Sequence, residues 1–197
     1  DRYEKNLSAK AHKEVDQLGT GVIYDLGPHL IDQAICLFGK PERVFAVLRT
    51  HRPGSVVNDY FDLTLLYGAF TVRLKSSLLA LEPVPGFVVH GAEGSFLKSR
   101  ADVQADMLDR GISPNVADWG QETVAEHGVL HTCVGGRDER RRFPSPAGRY
   151  QTLFASVYRH VREGAPSPVA LADTLLNVRI IEAALESSRT QSVVALS

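Results

Sequence analysis

The chain predicts an α+β fold: a predominantly antiparallel open sheet with helices covering one face. Three observations carry this reading. Strand-like segments in the middle of the chain are linked by short glycine turns. Helical periodicity is concentrated at the two ends. The alternating segments put mixed polar and apolar residues on the face away from the helices, which needs water or another subunit to cover it.

In chain order, residues 6–18 carry Leu7, Ala11, Val15 and Leu18 at helical spacing. An apolar helix-like run follows, ending at Phe38-Gly39 with Pro41 just beyond. Gly27 and Pro28 are poor interior helix residues, so they place the start of that run close to 25–28. Residues 44–52 are β-branched and apolar. In 59–67, Phe61, Leu63, Leu65 and Tyr67 face one way, and Tyr60, Asp62 and Thr64 the other. Gly68-Ala69 fits a two-residue hairpin turn. The return strand sets Phe70, Val72 and Leu74 against Thr71, Arg73 and Lys75. A second pair, 87–90 and 95–98, brackets a turn at 91–94. Residues 100–127 read as a long irregular loop of the kind that is often functional. Strands at 129–134 and 140–143 come next. Tyr150, Leu153, Phe154, Val157, Tyr158 and Val161 then mark an amphipathic helix stopped by Gly164 and Pro166. Leu171, Leu175, Val178, Ile181 and Leu185 mark a last one.

At 197 residues the chain suits one well-buried domain. Its net charge of −1 points away from nucleic acid and anionic membranes as partners. The cluster 137–142 mixes two acids with four arginines and reads as a solvated edge. No apolar run reaches the roughly 18 residues of a membrane helix, and the first residues are not a signal peptide. Two cysteines make no disulfide framework, and Cys36 reads as a core thiol, so the chain reads as cytoplasmic. His127, His131 and Cys133 are ligand types without a fourth partner, and no metal site is expected.

The chemistry concentrates in Tyr24-Asp25-Leu26-Gly27-Pro28-His29. Asp25 and His29 stand four positions apart, which on a helix puts them on one face. Imidazole titrates nearest neutrality, and a carboxylate beside it can orient it and tune its charge. The glycines at 19 and 21 let the backbone turn tightly just before them. Tyr60, Asp59 and Asn58 at the start of a strand, and Trp119 in the long loop, are candidate substrate contacts, because aromatic faces and paired acceptors suit a polyhydroxylated ring. No dinucleotide fingerprint of the Gly-x-Gly-x-x-Gly kind occurs between a strand and a helix.

Residues 19–33, Gly-Thr-Gly-Val-Ile-Tyr-Asp-Leu-Gly-Pro-His-Leu-Ile-Asp-Gln, resemble the opening of the C-terminal domain of the Gfo/Idh/MocA oxidoreductases, relatives of glucose–fructose oxidoreductase and inositol dehydrogenase. The similarity continues through Leu37-Phe38-Gly39-Lys40-Pro41, Asp59-Tyr60-Phe61, Ser76-Ser77, His90-Gly91-Ala92-Glu93-Gly94, Trp119-Gly120 and Arg179-Ile180-Ile181-Glu182-Ala183-Ala184. At 82 and 86 the chain departs from close relatives, with Glu82 and Gly86 where arginine is frequent, so the resemblance carries no particular substrate across.

The resemblance implies one substrate-binding, catalytic and dimerisation domain over 1–197. The nucleotide-binding domain, which also bears the family's catalytic lysine, is expected outside this sequence. NAD or NADP is the implied cofactor, and a secondary alcohol or carbonyl of a sugar, polyol or inositol the implied substrate. His29 is expected to transfer the proton, and Asp25 to orient His29 or hydrogen-bond the substrate. This fragment alone is expected to be inactive, and its open sheet face to form a homodimer. The competing reading is a sugar-binding or dimerisation module of the same fold without chemistry.

Overall fold

Alternation dictates the first sheet. In the computed structural model, which describes residues 1–82, 84–99 and 102–196, β1 (Arg43–Arg49), β2 (Tyr60–Leu66), β3 (Thr71–Ser77) and the short β8 (Val194–Ala195) pair in the order β3-β2-β1-β8. All their pairings are antiparallel, with Leu63 opposite both Ala46 and Leu74. The turn at Gly68-Ala69 closes with the Tyr67 N–H donating to the Phe70 carbonyl at 3.0 Å. Phe61, Leu63 and Leu65 are fully buried, as their common face requires.

Three helices cover that face: α1 (Val22–Asp25), α2 (Gly27–Phe38) and α5 (Leu171–Thr190). Val22, Ile23, Ile31, Ala34 and Ile35 join Ile180, Ile181 and Ala184 over the sheet in one apolar core. These elements make up a compact unit of Asp1–Pro83 and Val169–Ser197.

The second unit, Val84–Pro168, has its own four-stranded antiparallel sheet, ordered β4 (Phe87–Gly91), β5 (Gly94–Lys98), β6 (Gly128–Val134) and β7 (Arg137–Phe143). The strands therefore divide between two sheets, where alternation alone does not separate them. β7, with the arginine cluster, is an exposed edge along its whole length. Helix α3 (Val103–Asp109) and helix α4 (Tyr150–Glu163) complete the unit, and the left-handed Gly164 ends α4.

Four expectations need correction. Residues 6–18 hold only a 3₁₀ turn, Ala11–Glu14, where Glu14 pairs with Arg52 of the β1–β2 connection and Lys13 with Asp25 of α1. The long loop contains α3, capped by Asp102, whose carboxylate accepts the Ala105 N–H at 3.2 Å; Arg100 and Ala101 lie outside the described residues, as does Pro83. Cys36 is exposed, on the solvent side of α2. On α5 the buried positions include Asn177, Ser187 and Ala184, whereas Leu171 and Leu175 are exposed. The reason is polar. β8 pairs with β1 only at Arg43 and Val44. The Ala46 and Leu48 N–H groups beyond it donate to the Ser187 and Ser188 hydroxyls, each at 2.9 Å. Edge groups left unpaired by the sheet thus choose the face the helix turns inward.

Candidate active site

Asp25 ends α1, and His29 is the third residue of α2. Leu26 between them has backbone angles in the right-handed helical region, φ −107° and ψ −24°. Both side chains are exposed on the helix layer, above a buried underside of Val22, Ile23, Gly27 and Ile31.

The start of α1 is held by Asn58, which the sequence offers as a substrate contact and not as a helix support. Asn58 accepts the Val22 N–H through its backbone carbonyl at 2.8 Å and the Ile23 N–H through Oδ1 at 3.0 Å. Those amides would otherwise be free at a helix start. Gly21 makes this possible: its φ is 91°, and a Cβ there would lie 2.3 Å from Asn58 Nδ2. The first turn of α2 is held from the other side, by Asn177 Nδ2 donating to the Pro28 carbonyl at 2.8 Å. A pair of asparagines is hard to find from spacing, since neither belongs to a periodic pattern.

Asp25 has a partner the spacing does not suggest. Both its oxygens lie 3.3 Å from Lys13 Nζ. The His29 ring makes no hydrogen bond to any described side chain, so its nitrogens are open to a ligand. Tyr24, next to Asp25, is held above the ordinary phenol range by burial and by the nearby charge of Glu182; it stays protonated at neutral pH. An open imidazole beside an ion-paired carboxylate can take or give a proton at a bound hydroxyl.

The other predicted contacts have partners of their own. Tyr60 points to the sheet face opposite the helices, where its hydroxyl donates to Asp62 at 3.3 Å and its ring lies 5.3 Å from that of His51. Asp59 is 1% exposed. Its Oδ1 accepts the His51 N–H at 2.8 Å, and its Oδ2 accepts the Arg52 N–H at 2.8 Å and Nε–H at 3.2 Å, so its carboxylate is committed to the β1–β2 connection. Trp119 belongs to the second unit, where it is buried and its indole N–H donates to Gln104 Oε1 at 3.1 Å. Gln104 also accepts the Tyr150 N–H at 2.8 Å, fixing the start of α4. In the first unit an open cleft of about 440 Å³ runs between Arg49 and Thr50, Asn58, and Ser188 and Arg189. His131 pairs with Asp138, and among the described residues no three His, Cys, Asp or Glu side chains gather for a metal. No helix among the described residues is long and apolar enough to cross a membrane.

Residues 1–196 match the C-terminal alpha/beta domain of an oxidoreductase family. The chain is 35% identical over 196 residues to scyllo-inositol 2-dehydrogenase (NADP(+)) IolW of Bacillus subtilis, covering 100% of this chain and 54% of that protein. Among solved structures, the oxidoreductase yvaA of Bacillus subtilis superimposes with a TM-score of 0.93 at 35% identity, over 100% of this chain and 56% of that one. An oxidoreductase from Bacteroides fragilis does so at 0.84 and 39%, over 99% of this chain and 55% of that one. The chain spans about half the length of the curated relatives it matches.

Proposed function

The chain belongs to the Gfo/Idh/MocA oxidoreductase family, and on that footing we propose that it is the substrate-binding and proton-transfer domain of an NAD(P)-dependent dehydrogenase. Its substrate is a sugar, polyol or inositol with a secondary hydroxyl or the matching carbonyl, and the enzyme works in the cytoplasm. The inositol substrate and NADP of one relative, named as such at 35% identity, support this class. The observation that carries the reading is the open His29 imidazole one helical turn from Asp25, at a helix start pinned on two sides.

The described residues do not fit a dinucleotide. Every strand pairing among them is antiparallel, whereas the nucleotide cradle is a glycine-rich turn between a strand and a helix of a parallel βαβ unit. The cofactor therefore belongs to another domain of the complete enzyme, and this domain's own share is acid–base work. In the oxidative direction His29 accepts the proton of the reacting hydroxyl. In the reverse direction it returns that proton to the carbonyl oxygen. Asp25, held by Lys13, is left to accept a hydrogen bond from a substrate hydroxyl rather than from His29.

The test is a panel of inositols, polyols and aldoses with NAD(P)+ on the complete enzyme, beside its His29→Ala variant. Loss of a positioned general base should lower kcat by about 10²–10⁴-fold on whichever substrate is turned over, with the KM for the cofactor unchanged. A variant with near-parental kcat would remove His29 from the mechanism.

A further inference from the structure

The groups behind Asp25 form a closed circuit. Asp25 is paired with Lys13. Lys13 lies in the 3₁₀ turn Ala11–Glu14, beside Glu14, whose carboxylate meets Arg52 Nη2 at 3.1 Å through both oxygens. Arg52 in turn holds Asp59. Asp59 follows Asn58, and Asn58 holds the first amides of α1, the helix that ends at Asp25. The chain thus reaches the same carboxylate from two directions.

The rigid part of this circuit is buried. The side chains of Arg52, Asp59 and Glu14 are 3%, 1% and 12% exposed. Each spare polar atom is used: Arg52 Nη1 donates to the Asn6 carbonyl at 3.1 Å, and Glu14 accepts from the Ser8 N–H at 2.8 Å and the Ser55 hydroxyl at 3.2 Å. Removing one charge from such a cluster strands the others away from water. The Lys13–Asp25 pair is different, for both partners are about half exposed. An isolated pair of that kind contributes little to stability. A turn of four residues likewise has little stability of its own. So elaborate an anchor makes little sense for stabilising the pair, but it does fix where the ammonium stands.

We propose that Lys13 is a positioning residue of the candidate active site, set in place by the buried Glu14–Arg52–Asp59 cluster to hold the Asp25 carboxylate off His29. The inference rests on the reading of Asp25 and His29 as the substrate-facing acid–base pair. Without the ammonium, nothing among the described residues holds the carboxylate in place, and on turning toward the His29 N–H it would draw the ring out of its present orientation. An arginine in its place keeps the cation. A neutral chain of similar length does not.

Lys13→Met, Lys13→Arg, His29→Ala and the parent would be compared in the complete enzyme, with NADP+ and the substrate that the panel identifies. Lys13→Met should lower kcat by about tenfold or more, the scale of losing the orientation of a reacting group. The KM for substrate should stay within about twofold, thermal unfolding should not change, and Lys13→Arg should recover most of the lost kcat. Parental kcat in Lys13→Met, with His29→Ala inactive, overturns the inference and leaves the function standing. A rise confined to KM also overturns it, since Lys13 would then bind substrate itself, and so does failure of arginine to restore turnover. If Lys13→Met does not fold, Lys13→Gln takes its place under the same criteria. Parental kcat in His29→Ala overturns the acid–base reading, and this inference falls with it.

Discussion

Gly21 is where the cost of building the site is concentrated at the level of a single residue. Its φ of 91° is one that side chains with a Cβ rarely adopt, and the space a Cβ would take is filled by the Asn58 amide. Gly21→Ala should therefore destabilise the fold by about 1–3 kcal/mol, the range for a strained backbone position, read as a lower denaturant midpoint. Turnover should fall with it, because the displaced Asn58 no longer holds the amides of Val22 and Ile23. A control at Gly19, also at positive φ but with nothing within 4 Å of the place a Cβ would take, should lose only the backbone share. The acid–imidazole pair is legible from spacing alone. Its supports are not, since Asn58 and Asn177 stand far from Asp25 in the numbering and carry no local signature.

Among the elements, the first sheet joins covalent alternation to charge. On the face away from the helices, Val47, Asp62 and Lys75 form one row, and Phe45, Thr64 and Arg73 the next. Arg73 donates to both Asp62 oxygens. That hydrogen bond, against the opposing effect of burial, holds the Asp62 carboxyl below its ordinary range. A carboxylate whose pKa is depressed on folding stabilises the native state above its unfolded pKa, and that share is lost as pH falls through the folded value. The stability gap between the parent and Asp62→Asn should thus be full above about pH 5 and close on further acidification. Because Arg73 is largely exposed, the gap should also narrow at high salt. Thermal or urea unfolding across pH measures it; a gap that stays flat on acidification to about pH 2, below the ordinary carboxylate range, would assign Asp62 no electrostatic part. Alternation tells which residues share this face. It says nothing of which neighbour strand brings Arg73 opposite Thr64 and diagonal to Asp62.

On the scale of the whole molecule the open face of the first sheet remains to be covered. Tyr60, Thr64, Leu66, Thr71 and Arg73 line it, half-exposed or exposed, a surface too mixed for a core. Homo-oligomers are most often two-fold symmetric, and such a face can meet its own copy. A dimer joined sheet to sheet is the expected assembly, visible by sedimentation at tens of micromolar, roughly where a standard-size interface holds. Leu66→Asp should shift it toward monomer and leave the helix layer with His29 intact. Unfolding in place of dissociation would mean that the two faces are assigned the wrong way round.

What the sequence determined by itself is whatever repeats locally: the alternation that makes the strands, the glycine and proline punctuation around α2 and α4, and the four-residue step from Asp25 to His29. Family resemblance was equally legible, because it is carried by contiguous motifs. Tertiary structure decided which polar groups meet. Glu14 finds Arg52 across 38 residues, Asp59 is consumed by its own loop, and Asp25 takes Lys13 as its partner. The inward face of α5 was settled by Ser187 and Ser188 meeting the β1 amides that β8 leaves unpaired. The physical reason is common to all four. In the first sheet apolar burial follows a period that the chain displays, whereas a buried or anchored polar group is placed by whichever donor or acceptor the packed elements leave unsatisfied.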